Sequence, residues 1–463
     1  MTSLADAIIA EDIEQVREFL RYGINLNELD EYGFTPLVEA AIADNFQITK
    51  LLIESGANPN LQDSVGGTPL QWAAENNNLD IARLLLRMGA NPNSYNVSGQ
   101  PVVVMPLLRR QQAMRNLFFE AGASLDFAQD FINTKTLGHI FELVGTAAII
   151  SPENQFVEVD FEGFFLEVTL GLITESLSQY KNHYAARQMR RFGVLMNIIV
   201  DVLDRAAQLI KYQQYRIDIK KFRHEVDALI QKEPLIIPVG YEGHAITFIK
   251  FGDVFVKCDR REASRLYDNV MVYRMGHPEN CSDKFIRHLI YEKLSDEFVN
   301  VQIPEILGLN PITELKVSAQ ISGNCSWANV EACIPVLLFL LSSSAADFAN
   351  RIPHYKSVAL NLFHQWREWN KDRALHYCID TFNHVDSIRK ASKAEILAAI
   401  LFQRLSEDSI RERERIEDIL AVLMQSKYKY ILQNYVRSYC FEDASEEGTH
   451  FLRLLESYGF KNT

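Results

Sequence analysis

The sequence predicts a multidomain, mostly helical protein. An all-α repeat solenoid comes first, and a mostly helical α+β domain with a short β-sheet follows. Three observations predict this: glycines recurring every 33 residues at the start, long stretches of helical periodicity, and a β-branched and aromatic hairpin pattern near residues 235–259. A length of 463 residues suggests two to four domains at roughly 150 residues each. With 48% hydrophobic and 23% charged residues, every segment can build a core, which excludes wholesale disorder. A net charge of -13 argues against a broad nucleic-acid footprint, because phosphate binding needs clustered basic excess. The six cysteines form no CxxC pair and read as reduced thiols rather than a disulfide scaffold. Asp6, Glu11 and Asp12 replace the basic start of a secretory signal peptide, so none is expected. The longest apolar run, Ala332 to Leu341, is shorter than the ~20 residues that span a bilayer, so a soluble chain without membrane insertion is expected.

The repeat is carried by Gly23, Gly56, Gly89 and Gly122, which stand in GINLN, GANPN, GANPN and GASLD. A second marker keeps the same period: TSL at Thr2, TPL at Thr35 and TPL at Thr68, with Pro101-Val102-Val103 as a degenerate last copy. Thr35 and Thr68 can cap helices whose first turns hold Pro36 and Pro69, where a missing N–H costs nothing. Gly56 and Gly89 can end the second helix of each pair in a left-handed conformation that a Cβ would oppose. Stripes such as Ile48, Leu51, Leu52 and Ile81, Leu84, Leu85 give each unit one apolar face, which must stack on its neighbours. This pattern resembles the ankyrin repeat, in four copies over residues 1–126. The His of the family's T-P-L-H motif is absent, replaced by Val38 and Gln71, and Pro101 with Pro106 predicts a distorted helix in the last copy. The resemblance implies a protein-binding surface, with Trp72 as either an exposed anchor or a packed core residue.

Residues 127–232 are expected to form a helical connector or support. The stretch from about Phe156 to Lys232 lacks turn chemistry, and Arg187, Arg190, Arg191 and the Lys220-Lys221 pair read as solvated helix faces. A helical C-terminal region with an acidic tail is expected over 346–463, with RERERIED (411–418) as a solvated face. Between them, 233–345 forms the expected core.

That core carries the chemistry. HAITFIKF, then Gly252-Asp253, then VFVKCD reads as a β-hairpin. A two-residue turn sets Phe251 opposite Val254, so His244 falls opposite Arg261, with Asp259 diagonal to it and within side-chain reach. Asp259 can then fix the tautomer of His244 and support an imidazolium. Further on, Gln320-Ile-Ser-Gly-Asn-Cys325-Ser-Trp327 opens an apolar helical run. A Cys at a helix start has its thiolate favoured by the dipole, and Gly323 permits a close backbone approach there. Gln320 and the Cys325 backbone N–H could both donate to an oxyanion.

The order His, Asp, Gln, Cys resembles that of cysteine proteases with a permuted papain-like fold, a group that includes ubiquitin-like-protein proteases and related effector acyltransferases. The resemblance implies Cys325 as nucleophile, His244 as general base, Asp259 as its orienter and Gln320 as oxyanion donor, acting on a peptide or isopeptide without a cofactor or metal. Two features depart from the family: Gln320 lies five residues before the Cys rather than six, and Ala245 stands where many relatives have Trp. Ankyrin repeats ahead of such a domain, a helical connector and a Glu-rich tail are similar to the ankyrin-repeat effectors of Legionella. That likeness implies a type IV translocated monomer that binds a host protein in the host cytosol or nucleus. The rival expectations are a non-catalytic binding scaffold with a vestigial pocket, and an acyltransferase using the same triad.

Other candidates read as structural. Alternation turns Cys258 away from the Asp259 face, and Cys333 reads as helix core. Cys281, Cys378 and Cys440 have no nearby base at a meaningful spacing, His277-Pro278 reads as a turn, and His288, His364 and His376 lie in helical stretches. His364, His376 and Cys378 are the best available metal set, yet three or four convergent ligands at characteristic spacing are missing. No phosphate-cradling glycine motif occurs.

Overall fold

In the repeats, most helices begin where a short polar side chain closes the first turn. The computed structural model describes residues 3–212, 222–261, 270–320, 323–342, 348–441 and 445–461; Thr2, Lys220 and Lys221 lie outside the described residues. Helix α1 (Leu4–Ile9) is capped by Ser3 in a reciprocal box with Asp6, and α2 (Ile13–Arg21) by Asp12. Thr35 caps α3 (Pro36–Ile42) and Thr68 caps α5 (Pro69–Glu75), each with Pro at the first position. Asn45 and Asn78 do the same for α4 (Phe46–Glu54) and α6 (Leu79–Arg87). Gly56 and Gly89 follow their helices at φ of +97° and +88°. The last pair, α7 (Val104–Leu108) and α8 (Gln112–Glu120), has no side-chain caps, and α7 is cut to five residues around Pro106. An asparagine ladder stitches the units: Asn27, Asn60 and Asn93 accept from the backbone N–H of Asn58, Asn91 and Ser124 at 2.9, 2.7 and 2.7 Å. Trp72 is half-buried; its indole N–H donates to Asp63 at 2.8 Å and its ring meets Phe34 edge-on. It is a packed residue of the array.

The helix α9 (Leu125–Ile140) follows, and then an antiparallel hairpin, β1 (Thr146–Ile150) and β2 (Phe156–Asp160). The helical expectation from Phe156 onward is wrong here. FVEVD alternates, burying Val157 and Val159 and exposing Phe156, Glu158 and Asp160, and that period of two cannot build a one-sided helix. Met1–Lys135 and Thr146–Asp160 belong to one compact unit, and Thr136–Gly145 with most of the chain from Phe161 onward belong to a second.

The second unit starts with α10 (Leu166–Asn182), a 3-10 stretch (Tyr184–Phe192) that exposes Arg187, Arg190 and Arg191, α11 (Gly193–Lys211) and α12 (Arg223–Ile230). A five-stranded antiparallel sheet in simple order follows: β3 (Leu235–Tyr241), β4 (His244–Phe251), β5 (Val254–Cys258), β6 (Val270–Met275) and β7 (Leu309–Glu314). The chain from β6 to β7 carries α13 (Asp283–Tyr291) and α14 (Ile303–Leu307). Next come α15 (Cys325–Glu331) and α16 (Cys333–Ser342). Over Cys325–Ser342 the hydropathy reaches that of a membrane span, but 83% of the segment is buried in the protein, as a core helix pair would be. The helices α17 (Phe348–Phe382), α18 (Ser387–Arg404), α19 (Ile410–Leu423), α20 (Lys429–Tyr439) and α21 (Glu446–Ser457) complete the unit. The face 411–418 is not wholly solvated, because Arg415 is buried on Glu368 and Asp372.

Candidate active site

The hairpin β4–β5 has the register that its turn dictates. Gly252 takes φ +59°, Phe251 pairs with Val254, and the ladder ends at Thr247 with Cys258. His244, Ala245 and Ile246 therefore run past the last rung, while β3 still pairs their other edge. Beyond the ladder, His244 Nε2 meets Asp259 Oδ1 at 3.1 Å. Asp259 is buried and also holds Arg261 Nη2 at 2.9 Å and Lys257 Nζ at 3.3 Å. Burial works against its charge, but the bonds from His244 and Arg261 and the Lys257 ammonium outweigh it and hold the carboxyl well below the usual carboxylate range. Tyr241, whose hydroxyl accepts from Arg261 at 2.6 Å, is pushed up to about 12 by burial and by the Asp259 charge.

Of the six cysteines only Cys325 is half-exposed; the other five are buried. Burial would raise its pKa, but the His244 hydrogen bond, the Ala245 N–H, the His244 charge and the Ser326 N–H outweigh burial and lower it. His244 shows the matching shift: burial lowers it, the bonds to Asp259 and Cys325 raise it, and the net movement is upward. The two shifts together favour a thiolate–imidazolium pair. Burial drives the Cys258 thiol far up and Cys281 to about 11.

Gln320 is anchored by its backbone N–H on the Arg260 carbonyl at 2.7 Å. Its side-chain Oε1 is buried with no hydrogen-bond partner among the described residues. Ile321 and Ser322, between it and Gly323, lie outside the described residues. Gly323 has φ +79°, and a Cβ there would lie 2.3 Å from the Glu162 side chain. What closes on this glycine is the Glu162 side chain.

Several residues of the site carried no local signal in the sequence. His139 on α9 is buried, binds Asn324 Oδ1 through Nδ1 at 2.6 Å and stacks on Trp327 with ring centroids 5.9 Å apart. It fixes the entry to the Cys325 helix. Arg260, fully buried, pairs with Glu142 and Glu331 at 3.1 Å each, and Arg367 joins both carboxylates at 3.0 and 3.2 Å. Among the described residues no group of three or more His, Cys, Asp or Glu is placed to hold a metal.

A family model for ankyrin repeats matches residues 4–96 in three copies. No curated protein sequence matches the chain significantly. Among solved structures, the Legionella effector AnkH is 38% identical, with a TM-score of 0.84, over 100% of this chain and 98% of that one.

Proposed function

The chain belongs to the family of the Legionella effector AnkH, and from that premise we propose that it is an effector that binds a host protein through its ankyrin array and carries a papain-like thiol hydrolase site. One observation supports the chemistry above all others: His244 is held on Asp259 at 3.1 Å, and the strand that carries it is tied at Ala245 to the helix that opens with the half-exposed Cys325. In this reading the Cys325 thiolate attacks an amide or isopeptide carbonyl, and the C–O π pair moves onto oxygen. The Gln320 amide and the Cys325 backbone N–H hold that oxyanion. His244 then gives its proton to the leaving amine as the C–N bond breaks. Water attacks the thioester with His244 as base and releases the acid and the free thiol. An amine or hydroxyl in place of water would make the same site an acyltransferase. In this reading the protein works inside the host cell.

The test is labelling of the full chain with electrophilic ubiquitin-like and peptide probes. The expected result is a covalent adduct on Cys325 that is lost in Cys325→Ala and His244→Ala. If no probe modifies Cys325 while the protein still captures its partner, the chain is a binding scaffold and the hydrolase reading is wrong.

A further inference from the structure

β4 leaves backbone groups open where β5 ends. Ala245 lies past the last rung of the β4–β5 ladder, so its N–H and C=O on that edge have no strand to meet. The Cys325 helix meets the second of them: the C=O accepts from Asn329 Nδ2 at 2.6 Å. The same Asn329 amide uses Oδ1 to accept the backbone N–H of Arg260 at 2.7 Å. Asn329 is 1% exposed and stands four residues after Cys325, one turn along the same helix face. One side-chain amide therefore ties the helix of the nucleophile to the residue after His244 and to the residue after Asp259.

We propose that Asn329 is the positioning residue of the triad, holding the backbones of His244 and Asp259 at a fixed distance from Cys325. This rests on the thiol-hydrolase reading for its functional meaning, though the clamp itself stands on the two hydrogen bonds. The amide suits the task because it must donate on one side and accept on the other. Leu has a similar size and can do neither. A ring displaced by about an ångström would weaken both the thiol contact and the Asp259 contact, and such displacements cost up to about a hundredfold in rate.

The test compares Asn329→Leu with Leu397→Ala, which removes core volume from α18 at a fully buried position, in the full chain. Melting temperature reports folding. Two readouts report geometry: the pH profile of Cys325 alkylation by iodoacetamide, and the titration of His244 followed by NMR on labelled histidines. Asn329→Leu should slow alkylation near neutral pH at least about tenfold, move its midpoint upward, and lower the His244 midpoint. Leu397→Ala should leave both midpoints in place at a similar loss of melting temperature. If a folded Asn329→Leu keeps both midpoints, or Leu397→Ala moves them equally, the proposal is overturned. Should Asn329→Leu fail to fold, Asn329→Ser, too short to span both partners, takes its place. Loss of fold in both would also overturn it, by making Asn329 a residue of stability. A wild-type Cys325 that alkylates as an ordinary thiol would sink the hydrolase reading alone, since the His244 titration would still judge the clamp.

Discussion

The repeat array and the core around Cys325 are held by hydrogen bonds of very different reach. In the array, Thr68 caps a helix three residues on, and the Asn60 side chain serves the unit 31 residues on. In the core, Arg260 binds Asn329 at a separation of 69 residues and Glu142 at 118, and Arg367 binds Glu142 at 225. An array built from neighbour terms spreads a local defect over adjoining units. A buried network of charges has no such slack, because removing one member leaves the others uncompensated in a low dielectric. The two regions should therefore respond differently to single substitutions.

The largest expected effect is in the core. Arg260→Met removes the fully buried guanidinium that pairs with both Glu142 and Glu331, and should cost about 3 kcal/mol by urea denaturation. The double variant Arg260→Met/Glu331→Gln should recover part of that loss, and equal losses for single and double variants would break the network argument.

Next comes the thiol. The Cys325 pKa is moved down by His244 while burial moves Cys258 and Cys281 up, so at any one pH Cys325 carries the larger thiolate fraction. At about pH 6.5 Cys325 should alkylate at least about tenfold faster than Cys258 or Cys333, as read by peptide mapping. His244→Ala should remove most of the excess, because the thiolate then loses its strongest partner. The alkylation midpoint should rise in that variant, and a midpoint that stays put would separate His244 from the thiol.

Gly252→Val tests the register in between. At φ +59° a β-branched residue strains the turn by about 1–2 kcal/mol. A chain that tolerates it without shifting the His244 titration would show that the turn is not what sets the reach of β4.

The smallest effect belongs to the array. Thr68→Ala removes one cap and should cost about 1 kcal/mol, visible as a modest drop in urea midpoint. Cys325 alkylation should stay at its wild-type rate, and a change there would contradict the contrast between a local defect and the network around Cys325.

The array was legible because its information is local. Thr35, Pro36 and Gly56 each announce a backbone state within a few residues, and the period repeats that announcement. The distorted α7 was legible for the same reason, through Pro101 and Pro106. The hairpin register can be counted from Gly252 outward, and that count alone places His244 and Asp259 within reach of each other. The strand at Phe156–Asp160 was missed because five alternating residues are too short to outweigh the helical patterns after them. Trp72 could not be decided, since only the fold supplies Asp63 and Phe34 as its partners.

What the sequence determined by itself is the set of groups with chemistry to offer: a thiol at a helix start, an imidazole and a carboxylate in one hairpin, and a repeat that must stack. It could do so because capping, turn conformation and strand alternation act over a few bonds. Where the Cys325 helix lies against the strand of His244 depended on contacts between segments far apart in the chain, through Ala245, Asn329, His139 and the Arg260 charges. Only the tertiary structure decided that, because a buried amide or guanidinium selects its partners by where the whole chain places them, and no spacing along the sequence encodes that distance.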